Sequence, residues 1–163
     1  MRSPRLRPLR VIEVPLRSTY GPHWGLTGRG IPGARTADAA VELPGRNVLL
    51  LAHAAVACVR HGITTLALGT LAGNPFGDAT PAFFRAMAGC LSRALGRSVR
   101  ILTPLRGWTK TQVIREAGMP LALTFSCLSP SGTRHCGRCN KCAERRRAFR
   151  IAGVDDPTDY LAK

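Results

Sequence analysis

Long apolar runs are missing from this sequence. The longest apolar stretches, such as "VLLLAHAAVACV" at 48–59, contain His53 and fall short of the roughly 18 residues that a membrane span needs. We therefore expect a protein that does not cross a bilayer. The opening "MRSPRLRPLR" is followed by Glu13 and Pro15 rather than by the apolar region of a signal peptide, which favours a cytoplasmic location.

Acidic residues and lysine are also scarce. The chain has 9 acidic residues against 24 lysines and arginines, so its net charge is +15 and almost all of the positive charge is arginine. Lysine occurs only at positions 110, 141 and 163. A charge of this sign attracts nucleic acids, nucleotides and anionic lipids, but a codon preference for arginine explains it equally well. Charge alone therefore does not select a partner.

Helical and strand patterns alternate along the middle of the chain. Residues 45–62 predict a largely buried helix, and the β-rich run at 64–69 predicts a core strand. A second helix is predicted at 81–96 and a second strand at 98–103. This alternation indicates the α/β class with a parallel sheet.

The expected ligand site follows from that sheet, because open α/β sheets bind ligands beyond the carboxyl ends of their strands. The segments at those ends are 69–78 and 103–110. Thr109 and Gln112 form a capping-box pattern that predicts a further helix directly after the second segment. Both segments are the expected site loops.

The chain divides into three predicted parts. Residues 1–10 indicate a loose arm, and 11–126 an incomplete α/β domain that opens with a short strand at 11–16. Glycine and proline recur through 19–44, which predicts an irregular segment. Residues 127–163 contain a cysteine cluster followed by a helix and a tail.

The cysteine cluster has the spacing of a metal site. Cys127 is followed by Cys136, Cys139 and Cys142, and the two-residue gaps let neighbouring thiolates converge on one ion. Four thiolates complete the tetrahedron that Zn²⁺ prefers and leave no open position, so we predict a structural zinc. His135 adjoins Cys136, and simultaneous binding of both to one ion is awkward, so we place it outside the ligand set.

Two alternatives to zinc are weaker. A bacterial ferredoxin run has its next cysteine three residues further on, where this chain has Arg146. Disulfides are rare in a reducing cytoplasm. The remaining cysteines, Cys58 and Cys90, lie among apolar residues of the predicted helices and are expected to pack in the core.

Six segments follow one another along the chain: "PGRN" at 44–47, "NPFGDATPAFF" at 74–84, "TPLRGWTK" at 103–110, "TFSC" at 124–127, "HCGRCNKC" at 135–142 and "GVDDPTDY" at 153–160. Together they resemble the 7-cyano-7-deazaguanine synthases of the PP-loop ATP pyrophosphatase superfamily, and the resemblance runs from about residue 11 to the end. The resemblance implies a partial Rossmann-like domain, related to the adenine nucleotide alpha hydrolases, with a zinc-binding segment after it.

The resemblance also implies a reaction. Ammonia is ligated to the carboxylate of a deazapurine, 7-carboxy-7-deazaguanine, and ATP with Mg²⁺ activates first the carboxylate and then the resulting amide, which becomes a nitrile. The implied partners are these small molecules and a second copy in a homodimer, with no membrane and no nucleic acid.

Candidate site residues follow from the same resemblance. Lys110 matches a superfamily lysine near the pyrophosphate and is the candidate catalytic residue. Arg46 and Asn47 match a loop beside nucleotide and substrate, while Asp78 matches an acidic position that binds magnesium or the purine-like edge. Asp78 also suits helix capping before Pro81. The family's tail, here Asp155, Asp156, Thr158 and Tyr160, is expected to support packing.

One family element is not among these residues. The superfamily's phosphate loop, Ser-Gly-Gly-x-Asp-Ser, is found nowhere in the 163 positions. We therefore expect the C-terminal two thirds or so of a synthase, which uses a phosphate loop from an upstream segment or a second chain. The alternatives are an inactive remnant and a module in which the basic residues 134–150 bind RNA, although Phe149 is the only aromatic there for base stacking.

Overall fold

The computed structural model describes residues 8–116 and 118–162, so most of the arm predicted at 1–10 lies outside the described residues. The described chain contains helices and strands in the order α1 (Arg17–Tyr20), α2 (Trp24–Thr27), α3 (Arg46–Val59), β1 (Thr65–Ala67), α4 (Pro81–Leu95), β2 (Arg100–Leu102), α5 (Lys110–Glu116) and α6 (Asn140–Ala152). The predicted α/β class is confirmed.

The two strands form a parallel sheet. Leu66 of β1 is in register with Ile101 of β2, and the pairing ends when the Leu68 amide donates to the carbonyl of Leu102 at 2.9 Å. Both strands are shorter than predicted because the chain then leaves the sheet to form the two loops expected at its carboxyl edge. Those loops are joined by the Ala72 amide, which donates to the Trp108 carbonyl at 2.9 Å.

The apolar core lies between α3, α4 and the sheet. Its buried side chains are Leu51, Ala55, Leu66, Phe84, Leu91 and Val99. The prediction for α4 is confirmed: Pro81 stands at its first position and the Thr80 hydroxyl caps it by accepting from the Phe83 amide. The expectation that α3 is largely buried is wrong, because Leu50 and Val56 lie on a face that the described residues leave half exposed.

Residues 11–16 do not form the predicted strand. They adopt no regular structure and pair with neither β1 nor β2. Val11 is 80% exposed and Ile12 48%. An apolar pattern becomes a strand only where a neighbouring edge accepts its backbone hydrogen bonds, and the described residues place no such edge beside this segment.

The capping box at α5 is confirmed. The Thr109 amide donates to the Gln112 side-chain oxygen at 2.8 Å, and the Gln112 amide donates to the Thr109 hydroxyl at 3.2 Å. Helix α5 packs against α6. This contact joins the end of the α/β core to the cysteine cluster. Across the part of the chain that the structure describes, none of the helices combines the length and apolar character needed to cross a membrane.

Arg145 of α6 fastens the C-terminal tail to the body of the protein. Its buried guanidinium donates to the hydroxyls of Thr158 at 2.6 Å and Thr124 at 2.9 Å, and lies 3.6 Å from the Asp156 carboxylate. Asp156 in turn accepts from the Tyr160 hydroxyl at 2.7 Å. Asp156, Thr158 and Tyr160 therefore have the packing role that their resemblance implied, whereas Asp155 is exposed.

Core packing predicts different effects for two adjacent leucines of α3. Leu51 is 1% exposed and Leu50 is 53% exposed. Leu51→Ala should lower the free energy of unfolding by about 2–5 kcal/mol because it leaves a cavity, while Leu50→Ala should cost well under half as much. Chemical denaturation of both variants measures this, and equal losses would contradict the position assigned to the core.

Acid sensitivity should depend on Asp156. Burial opposes ionisation of this carboxyl, but hydrogen bonds from Thr158 and Tyr160 outweigh burial and hold its pKa below the usual range. A carboxyl whose pKa is lower in the folded state stabilises the fold above the unfolded pKa and loses that contribution as pH falls through the folded one.

Asp156→Asn should therefore destabilise the protein at neutral pH by on the order of 1 kcal/mol and reduce the further loss of stability on acidification from about pH 5 to 3. Melting temperatures across this pH range measure the effect. Its exposed neighbour provides the control, since Asp155→Asn should leave the profile unchanged. An unaltered profile in Asp156→Asn would contradict the assigned role.

Candidate functional site

The four cysteines predicted as metal ligands converge. The sulfur atoms of Cys127, Cys136, Cys139 and Cys142 all lie within 4.8 Å of one another, and those of Cys136 and Cys142 are 3.9 Å apart. Sulfurs about 2.3 Å from a tetrahedral zinc are roughly 3.8 Å apart, so the observed cluster matches the geometry of that ion.

Local backbone structure brings these sulfurs together. Gly137 has φ +79°, and a side chain there would overlap the carbonyl oxygen of Ala162, so the first two-residue gap requires glycine. Cys139 then occupies the N-cap of α6, which places Cys142 in the first turn of that helix. The amides of Cys136 and Ser129 donate to the Cys127 sulfur at 3.2 and 3.3 Å, contacts that stabilise a thiolate.

The electrostatics of the cluster call for a cation. Burial raises the pKa of Cys127 and of Cys142. For Cys136, burial is outweighed by backbone amides of Arg138 and Cys139, and the pKa falls to about 7. Four thiolates at these distances repel one another, so only a bound cation lets all of them ionise together. The cluster can hold a metal such as zinc.

His135 lies beside the cluster without joining it, as predicted. It is 4% exposed, and its Nε2 accepts from the Ser126 amide at 3.2 Å, which assigns the ring proton to Nδ1. Burial, together with the charge of Arg145, lowers its pKa, so the ring is neutral. His135 instead packs between Phe125 and Tyr160.

A pocket of about 870 Å³ lies beyond the carboxyl ends of β1 and β2. Its walls include residues 68–76 of the loop after β1 and Cys127 of the cysteine cluster. His23 and Trp24, from the irregular segment before α3, also line it. Three of the four candidates outside the cluster contribute to it or border it directly: Arg46, Asn47 and Lys110. The pocket is therefore at the position that the parallel-sheet argument predicted.

The fourth candidate, Asp78, contacts Asn47 instead of lining the pocket. Its carboxylate accepts from the backbone amide of Asn47 at 2.9 Å, and its carbonyl accepts from the Asn47 side chain at 2.9 Å. Asp78 thus caps the first turn of α3 from a distant loop, and Thr80 provides the cap of α4. The proposed magnesium or substrate role of Asp78 stays a prediction.

An ionic cluster that the sequence did not predict lines the same pocket. Lys110 of α5 forms a short hydrogen bond with Glu144 of α6, and the other Glu144 oxygen accepts from Lys141 at 2.7 Å. The Lys141 ammonium also lies 3.7 Å from the Asp38 carboxylate. Burial opposes ionisation of Glu144, but the two lysines outweigh it and lower its pKa.

The two cysteines outside the cluster were both expected to pack in the core, and only one of them does. Cys58 packs against the core, but Cys90 is exposed on α4, so its predicted core position is wrong: it lies on the face turned away from the sheet.

Two of the basic residues between 134 and 150 are engaged in contacts within the fold. Arg145 is buried, and Arg146 stacks 4.1 Å from the Tyr160 ring centre while donating to Ala162. Two arginines of the RNA-binding alternative are thus engaged in the fold, which disfavours it.

Comparison with known proteins gives a family match. The profile of the family described as queuosine biosynthesis protein QueC matches residues 31–153. This range includes the cysteine cluster, the segments 69–78 and 103–110, and the candidates Arg46, Asn47, Asp78 and Lys110.

Individual relatives described as 7-cyano-7-deazaguanine synthase agree with that match. The protein of Allorhizobium ampelinum is 35% identical over 140 residues, covering 80% of this chain and 59% of the relative. Those of Rhizobium rhizogenes and Methanothermobacter thermautotrophicus are each 32% identical, over 94% and 82% of this chain and 69% and 66% of the relatives. The chain thus spans about three fifths to two thirds of the length of these relatives.

Removing one cluster cysteine should release the metal and loosen the fold. We expect about one equivalent of zinc per chain and a lower melting temperature in Cys139→Ser, with a loss of at least about 2 kcal/mol because α6 loses its anchored start. Elemental analysis and thermal unfolding measure both effects. The exposed Cys90→Ser is the matched control, and an unchanged melting temperature in Cys139→Ser would exclude the structural role.

Proposed function

Because this chain belongs to the QueC family of queuosine biosynthesis proteins, we propose that it provides the lysine-bearing wall and the metal segment of an ATP-dependent 7-cyano-7-deazaguanine synthase. The substrates are 7-carboxy-7-deazaguanine, ammonia and ATP. The observation that carries the proposal is the pocket at the carboxyl edge of the sheet, where Arg46 and Lys110 provide positive charge beside polar loop residues.

The chemistry requires positive charge at this place. A carboxylate resists attack by ammonia until one of its oxygens becomes part of an AMP leaving group. Ammonia then displaces AMP to form the amide, and a second ATP activates the amide oxygen so that its elimination leaves the nitrile. Each activation separates pyrophosphate from AMP, and cationic side chains stabilise the charge that develops on the departing group.

Lys110 is suited to the pyrophosphate. It begins α5 at the end of the loop after β2, and its side chain is 33% exposed at the pocket wall. An ammonium is a compact point charge with three donors, which can follow a phosphate oxygen as the transition state forms. Mg²⁺, when bound with ATP, offsets further polyphosphate charge.

The phosphate loop is the part that these residues do not provide, since no Ser-Gly-Gly-x-Asp-Ser string occurs among them. We propose that this loop comes from an N-terminal segment or a separate chain. The cysteine cluster holds a structural zinc, because four thiolates close the coordination sphere and leave no position for water or substrate.

The reaction assay tests the function directly. The protein, with whatever sequence its gene encodes ahead of Met1, is incubated with 7-carboxy-7-deazaguanine, ammonia, ATP and Mg²⁺. We expect the nitrile product and consumption of two ATP molecules per product. Binding of ATP without any product would contradict the proposed reaction, and addition of a separately produced phosphate-loop segment tests whether that segment acts in trans.

Lys110→Gln should lower kcat/KM about 10- to 100-fold, because it removes one charge-assisted contact to the phosphates. Arg97→Gln removes the same charge from an exposed position outside the pocket and should leave the rate unchanged. Equal rates in the two variants would exclude Lys110 from the chemistry.

A further inference from the structure

The two residues between Cys139 and Cys142 point to different neighbours. Asn140 donates from its amide to the Pro32 carbonyl at 2.9 Å and from its side chain to the Thr36 carbonyl at 2.7 Å. Lys141, the next residue, lines the pocket. The metal-binding turn therefore fixes the loop on one side and presents a lysine to the pocket on the other.

Glu144 connects this lysine to Lys110. Its two carboxylate oxygens accept from the two ammonium groups, one each, and the three side chains are only 22–33% exposed. Without the negative charge of this carboxylate, two ammonium groups so close together would repel each other. Glu144 stands one helical position beyond the first turn that Cys139 and Cys142 anchor, so the metal site also fixes the carboxylate.

Both lysines keep hydrogen-bonding capacity while bound to Glu144. An ammonium has three N–H donors, and within the described residues Lys110 uses one on Glu144. Lys141 uses one on Glu144 and directs charge toward Asp38 at 3.7 Å. Each therefore has a further donor for an anion in the pocket.

We propose that Lys141 is a second phosphate-binding lysine beside Lys110, and that Glu144 is the positioning residue that holds the pair. The proposal rests on the proposed function, since it takes the pocket ligand to be a pyrophosphate group. The oxygens of pyrophosphate are distributed over two phosphorus atoms, so two adjacent ammonium groups suit this ligand better than one. The metal cluster thus contributes to the phosphate site by placing both Lys141 and Glu144.

Lysine acylation tests the pairing without requiring turnover. The zinc-loaded protein, as its gene produces it, is pulsed with acetic anhydride at increasing concentrations of inorganic pyrophosphate with Mg²⁺, and modification is read at each lysine by peptide mass spectrometry. We expect pyrophosphate to protect Lys110 and Lys141 with the same midpoint, because one ligand contacts both.

Glu144→Gln keeps the shape of the side chain but removes the charge that holds the lysines together. We expect the midpoint of protection to rise about tenfold at both lysines, the size of one lost charge-assisted interaction. Glu144→Asp, which restores the carboxylate on a shorter stem, should recover part of the affinity. Glu116→Gln, at an exposed position of α5, is the matched control and should behave as the wild type.

The outcomes distinguish a failure of this proposal from a failure of the proposed function on which it rests. Protection of Lys110 alone overturns the role of Lys141 and leaves the phosphate site intact, whereas protection of neither lysine overturns the proposed function as well. Wild-type midpoints in Glu144→Gln overturn the positioning role. If that variant has a lowered melting temperature, Glu144→Asp decides: a folded protein with the Glu144→Gln midpoint or worse would overturn the role of the carboxylate.

Discussion

The arrangement of residues 124–162 depends on four cysteine sulfurs that converge on one point. If all four ionise there, a cation is needed between them. Cys136, Cys139 and Cys142 form one group of buried residues in this segment, and Ala148, Phe149 and Ala152 of α6 form another. The zinc proposed for the cluster would add to this apolar burial, because the free energy of coordination becomes folding free energy.

That constraint reaches the pocket through α6. The helix begins at the cysteine cluster, carries Lys141 and Glu144 to the pocket wall, and packs against α5, which begins with Lys110. The other walls come from the loop after β1, from the segment before α3 and from the start of α3, which contributes Arg46. The pocket therefore lies between the cysteine cluster and the apolar core, and charged side chains line it from both sides.

Local patterns predicted local features. Cysteine spacing predicted which four sulfurs converge, Thr109 and Gln112 predicted a helix start, and alternating elements predicted a parallel sheet with a pocket at its carboxyl edge. The irregular backbone at 11–16 and the exposure of Cys90 could not be predicted in this way. Each depends on whether another element lies alongside, and an apolar pattern does not contain that information.

The sequence does not predict charged contacts between distant residues, for the same reason. Glu144 lies 34 positions from Lys110 and Asp78 lies 31 from Asn47, and nothing in the composition of either segment marks its partner. Lys141 is harder still to recognise from sequence, because its neighbours are cysteines whose spacing indicates a structural turn. Only the fold shows that the turn between Cys139 and Cys142 also contributes a side chain to the pocket.

Zinc-edge X-ray absorption on the purified protein tests the central claim most directly, because it counts the ligands of the metal proposed for the cysteine cluster. The account predicts four sulfur neighbours at about 2.3 Å and no nitrogen or oxygen neighbour. A mixed shell with a nitrogen or oxygen ligand would mean an open or differently built site, and would contradict a closed metal core.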